Sequence, residues 1–114
     1  MAGSALSELS VRQLHARKGR LASGLADPGV TLRGVLLSKG RRCSSEGCRC
    51  RRGELHGPYS YLAIYADGRS RTIYVPVAEQ TAVAEHVELT ARNEALLSEI
   101  SLINLELLKR RALG

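Results

Sequence analysis

The spacing of apolar residues changes character several times along this chain, and each change predicts an element. Leu14, Leu21 and Leu25 follow a helical spacing, and Ser10 with Gln13 three residues later fits a capping box. A helix is therefore predicted over roughly 8–25, weakened at Gly19, which costs up to ~1 kcal/mol relative to alanine. Asp27-Pro28-Gly29 reads as a turn. Residues 31–38 read as a strand, with Gly34 marking a bulge or a close backbone approach. Residues 39–57 show no apolar period. Two further strands, 59–66 and 69–76, flank Asp67-Gly68, a strong hairpin turn signal. A two-residue turn sets Leu62 opposite Ile73 and Ser60 opposite Val75. Leu62, Ile64, Ile73 and Val75 then share one face, and Tyr59, Tyr61, Tyr65, Thr72 and Tyr74 share the other. A one-residue slip of one strand would mix the two faces, so the pattern itself supports this register or one two residues away.

From Ala78 to Ala112 neither Gly nor Pro appears, and Leu89, Asn93, Leu96, Ile100, Ile103 and Leu107 recur at intervals of three and four. This predicts one helix of about 35 residues, or two with a break near 89–92. One such helix would be ~52 Å long, more than three short strands can cover. Its last segment, from Ile100 to Leu108, is apolar on more than one face, which calls for more than one packing partner. The partner is the 8–25 helix or a second copy of the chain. Leu96, Ile100, Ile103 and Leu107 are the candidate oligomer interface. Asn93 and Asn104 could fix register there, as buried asparagine does in coiled coils; the alternative is a helical hairpin within the chain. Lys109, Arg110 and Arg111 suit the negative end of the helix dipole.

Together these elements predict an α+β fold. A small three-stranded antiparallel sheet carries the loop 39–57, whose Cys43, Cys48, Cys50 and His56 are the residues expected to make it a zinc-stapled loop, with one N-terminal helix before it and a long C-terminal helix after it. The segments are 1–30, helical; 31–77, loop and hairpin; and 78–114, the long helix. At 114 residues this is one domain, or one with a helical appendage.

Charge adds a direction. The net charge is +6. Between Arg33 and Arg71 nine basic residues face three acidic ones, so the whole excess is centred on the loop and hairpin. Such a field fits an acidic partner, nucleic acid above all, beside the plainer reading of a solubilising surface. The N-terminus lacks an apolar leader core, and no run of ~20 apolar residues occurs, so a cytoplasmic chain that does not enter the membrane is expected.

The loop holds the chemistry. All three cysteines and one of the three histidines fall in the pattern C-x4-C-x-C-x5-H, at Cys43, Cys48, Cys50 and His56. Three is an odd number, so a complete disulfide set would need a second chain. Three thiolates and an imidazole are the composition of a closed tetrahedral zinc site. One structural Zn2+ per chain is the expected cofactor. Gly47 and Gly53 could supply the tight turns. The C-x-C pair is tighter than the usual knuckle, so loop thiols without a metal, or redox or iron–sulfur chemistry, stay open. Four protein ligands leave no position for a catalytic water. Glu46 and Glu54 are most simply counter-charges to the arginines, and His15 and His86 helix-surface or packing residues. No nucleophile, base and orienting group can be assembled, so no enzyme is expected.

The run from Cys43 to Val75 resembles a family of small uncharacterised bacterial and archaeal proteins, a domain of unknown function. Its hallmark is a Cys- and Gly-rich loop ending in Gly-x-x-His-Gly-Pro-Tyr, then a hairpin and a long helix. Cys43, Gly47, Cys48, Cys50, Gly53, His56, Gly57, Pro58 and Tyr59 match that pattern. Leu32-Arg33-Gly34 and the segment 102–111 are also similar, so the resemblance spans roughly 32–111. The departure is Ser44-Ser45-Glu46, where the family tends to Gly and Lys. The resemblance implies the fold and an occurrence near mobile elements, with which a role in DNA mobility or regulation would fit.

The leading expectation is thus a non-enzymatic zinc module binding DNA or RNA. Arg41, Arg42, Arg49, Arg51, Arg52, Arg69 and Arg71 are the candidate phosphate contacts. The tyrosines either pack beneath a helix or form a stacking face. The alternative is an interaction subunit acting through the long helix, as a homodimer or with a partner protein, the zinc loop serving as scaffold.

Overall fold

The computed structural model describes residues 5–41, 53 and 56–114. The elements in order are α1 (Val11–Ser23), β1 (Val35–Arg41), β2 (His56–Ala66), β3 (Arg69–Val75) and α2 (Gln80–Lys109). Short 3-10 turns stand at Leu6–Glu8, Pro28–Val30 and Val77–Glu79. The chain divides into two compact units, Met1–Val30 with Leu89–Gly114, and Thr31–Glu88. α2 runs from one into the other as a single helix of 30 residues, unbroken at 89–92.

In the first unit α1 begins at the anticipated capping box. The Gln13 N–H donates to Ser10 Oγ at 3.1 Å, and the Ser10 N–H to Gln13 Oε1 at 2.8 Å. These bonds satisfy two amide donors of the helix's first turn, so α1 starts at Val11 rather than at 8. It continues through Gly19 and stops at Ser23, two residues short of the predicted end. Beyond it Asp27 Oδ1 accepts from the Gly29 N–H at 3.1 Å, the local bond that turns the chain.

α1 and the C-terminal half of α2 pair antiparallel. Leu14, Ile103 and Leu107 are fully buried together, with Leu6, Leu9, Leu21 and Ala112 packed against them. Burial of each of the three central side chains is worth about 1.5–3 kcal/mol. Polar contacts fix the register. Asn93 Oδ1 accepts from the Ala26 N–H at 2.8 Å, and its Nδ2 donates to the Ala26 carbonyl at 3.1 Å. Lys18 Nζ donates to Asn104 Oδ1 at 2.9 Å. Thr90 Oγ1 donates to the Val30 carbonyl at 3.3 Å. Arg110 reaches the Leu6 carbonyl at 3.0 Å and also the Leu9 carbonyl, while its Nε donates to Glu106 at 2.9 Å. α2 ends in a Schellman-type cap: Arg111 at φ 57, with Ala112 N–H to Leu107 O at 2.8 Å and Arg111 N–H to Leu108 O at 2.9 Å.

The second unit is a β1-β2-β3 antiparallel meander. The hairpin register is the anticipated one, Leu62 opposite Ile73 and Ser60 opposite Val75. Asp67 and Gly68 both take positive φ, at 54 and 74, as a type I′ turn requires. β1 begins at Val35, four residues later than expected, and extends to Arg41. Gly34 marks the change. A Cβ there would lie 2.7 Å from Leu62 Cδ1 and 2.9 Å from the Ala63 carbonyl, so the backbone passes too close to β2 for any side chain. A register irregularity between Lys39 and Arg41 bends the other end of β1.

Candidate nucleic-acid interface

β1 and β2 are the two walls of the Cys/His loop. Their last pair is Arg41 opposite His56, so the sheet brings the two ends of the loop together. Cross-strand partners have Cα atoms about 4.5–5.5 Å apart. Gly53 takes φ 106, the positive value expected of a tight turn. Cys43, Cys48 and Cys50 lie outside the described residues, as do Arg42, Arg49, Arg51 and Arg52. Among the described residues no group of three or more His, Cys, Asp or Glu is placed to hold a metal ion. The peptide Gly57–Pro58, immediately after His56, is cis. His15 is exposed on α1, and His86 Nδ1 lies 2.7 Å from the Ala82 carbonyl one turn back on α2.

The alternation of β2 and β3 sorts the remaining candidates. Leu62 and Val75 are buried on one face. Arg69 and Arg71 pair with Ala66 and Ile64 and so fall on that same face. They are exposed, with Arg71 Nη2 3.9 Å from Asp67 Oδ2. The other face carries the tyrosines. The Tyr74 ring meets Tyr59 at 6.3 Å and Tyr61 at 5.9 Å, with interplanar angles of 71° and 67°. These are the edge-to-face contacts aromatic quadrupoles favour. Tyr65 is 74% exposed, Tyr74 49% and Val35 60%, so this face is open. The arginines named on the hairpin and the tyrosines are therefore not neighbours on one surface. A cation that the tyrosine face does carry is Lys39, whose Nζ stands 5.7 Å over the Tyr61 ring. Lys39 was not among the phosphate candidates. Its parity on β1, opposite Tyr59, is the signal that places it there.

Of the proposed oligomer interface, Ile103 and Leu107 are buried against Leu14. Leu96 is half-buried, its Cδ1 3.5 Å from where a Cβ on Gly24 would stand. Ile100 is half-buried. Two of the four residues are thus occupied by the chain's own first helix. The exposed apolar residues of α2 are others: Leu97, Leu102, Leu105 and Leu108.

Residues 11–85 match a domain of unknown function, DUF6788. The chain belongs to this family. The DUF6788 match includes α1, which the resemblance drawn from the loop did not, and ends within α2 at Glu85. The helix-pairing segment 86–114 lies beyond it, so the DUF6788 region centres on the sheet and the Cys/His loop. No curated protein and no solved structure matches the chain. No helix among the described residues is long and apolar enough to cross a membrane.

Proposed function

We propose that this protein is a non-enzymatic zinc module that binds nucleic acid through its basic loop and hairpin. The observation that carries the reading is the sheet that anchors both ends of the Cys/His loop at Arg41 and His56 and presents an open tyrosine face with Lys39 beside it. In this reading Cys43, Cys48, Cys50 and His56 hold one structural Zn2+, and the metal fixes a loop with no apolar period to fix itself. Arg41, Arg42, Arg49, Arg51 and Arg52 follow phosphate around the loop, with Lys39 continuing the track onto the sheet. Arg69 and Arg71 extend the positive field on the far side of the hairpin. A role in DNA mobility or regulation is the setting proposed for this activity. The test is metal analysis together with titration of mixed DNA and RNA at low salt. The reading predicts one zinc per chain and binding that weakens at least about tenfold between 50 and 200 mM salt, as counterion release requires. Absence of binding to either polymer overturns it.

A second reading is favoured by Leu97, Leu102, Leu105 and Leu108, each between 48% and 57% exposed on α2. In it the long helix is the working surface and its occupant is a second copy of the chain. Leu97 and Leu108 lie at opposite ends of this stripe. An antiparallel copy sets Leu97 of each chain against Leu108 of the other, as a twofold interface demands. Sedimentation of Leu105→Asp separates the two readings. Dissociation of a dimer to a folded monomer supports the helix interface, and a wild-type chain that is already monomeric removes it.

A further inference from the structure

The tyrosine face is more than an aromatic cluster. Successive rows across the sheet differ in character. Leu37, Tyr61 and Tyr74 form one row, since Tyr61 pairs with both neighbours. The next row toward the turn is Val35, Ala63 and Thr72, all shorter side chains. Beyond it stands Tyr65 opposite Ser70. The short middle row leaves a shallow groove, lined by Arg33, Val35, Ala63, Tyr65, Ser70 and Thr72 among others. The face therefore reads, along the strand, as an aromatic step, a groove with Arg33 in its lining, and a second aromatic step.

From this arrangement we infer that the face seats single-stranded nucleic acid in preference to a duplex, an inference that rests on the nucleic-acid reading above. Tyr61 and Tyr65 are four residues apart on β2, about 13 Å along the strand. Neighbouring bases in a duplex lie ~3.4 Å apart and stack on one another. A duplex therefore offers no base face to either tyrosine. A single strand can splay its bases, lay one on Tyr65 and another on the Tyr61–Tyr74 step, and leave its backbone over the groove. Stacking of this kind tolerates any base, because every base has a π-face. Lys39 at one end and Arg33 in the groove lining supply the matching charge.

The test uses the full zinc-loaded chain and a labelled mixed-sequence oligonucleotide of roughly 12 nucleotides, within the range small single-strand-binding folds occupy. Binding is followed by anisotropy for the single strand and for the same sequence as a duplex. Tyrosine emission, free of tryptophan in this chain, is read in parallel. The inference predicts tighter binding of the single strand, with quenching of tyrosine emission. It predicts that Tyr65→Ala weakens single-strand binding about tenfold, that Tyr65→Phe retains it, and that duplex binding moves by less than about twofold. Tyr65 is largely exposed, so its removal leaves folding intact; Tyr74→Ala is the companion variant. Equal affinity for the two forms, or neutral Tyr65→Ala and Tyr74→Ala, overturns the single-strand inference alone. Failure to bind either form overturns the nucleic-acid reading with it.

Discussion

At the scale of single residues, the same substitution has opposite consequences at two glycines. At Gly19 an added Cβ meets nothing within 4 Å, and the residue sits inside α1. Gly19→Ala is therefore expected to raise stability by about 0.5–1 kcal/mol, read by urea unfolding; a neutral or destabilising result would contradict the solvent-facing placement. At Gly34 the added Cβ lies 2.7 Å from Leu62 Cδ1 and 2.9 Å from a β2 carbonyl. Gly34→Ala is expected to cost about 1–3 kcal/mol, the usual range for overpacking. The close approach at Gly34 was visible in the sequence as a glycine inside a predicted strand. The roles of Asn93 and Arg110 were only half visible. Asn93 stood out as a polar residue in a helical stripe, but its partner is the Ala26 backbone, which no side-chain pattern announces. Asn93→Ala leaves a part-buried N–H and carbonyl unpaired, and a loss of about 1–3 kcal/mol is expected in the same unfolding assay. Arg110 reads from sequence as a dipole-complementing terminal charge, whereas its guanidinium binds carbonyls at Leu6 and Leu9, a hundred positions away.

At the scale of elements, the hairpin was fully legible and the helix pairing was legible only in kind. A strict period of two and an Asp-Gly turn leave little freedom of register, and β2 and β3 pair as that pattern demands. β1 was misplaced because Thr31, Leu32 and Arg33 have strand-like composition, while strand pairing begins only after the tight passage at Gly34. In α2, apolar residues occur on more than one face, so periodicity alone could not choose which face meets α1. The structure assigns Ile103 and Leu107 to α1 and leaves Leu97, Leu102, Leu105 and Leu108 exposed. Substitution separates the faces. Leu14→Ala is expected to destabilise the helical unit by about 2–5 kcal/mol, because its site is fully enclosed. Leu105→Ala, half-exposed, should cost well under about 1 kcal/mol in thermal unfolding of the monomer. Comparable losses from the two would mean that α1 packs on another face of α2.

At the scale of the whole molecule, the sequence places its excess positive charge and all its cysteines in one segment, and the fold joins that segment's ends across β1 and β2. What the charge pattern could not distinguish was sidedness. Strand parity sends Arg69 and Arg71 to the face opposite the tyrosines and brings Lys39 to the tyrosine face instead. If zinc is the staple, its binding energy is also folding energy. Removal of the metal by a chelator should then lower the melting temperature and abolish nucleic-acid binding together. Zinc loss with unchanged melting would reduce the metal to a passenger. The most direct measurement is the salt dependence of oligonucleotide binding by the full chain, with zinc content determined on the same preparation. The account predicts one zinc per chain and a logarithm of affinity that falls linearly with the logarithm of salt, with a slope of roughly −0.7 for each phosphate contacted on a single strand. A zinc-loaded chain that binds no oligonucleotide even at low salt would contradict it.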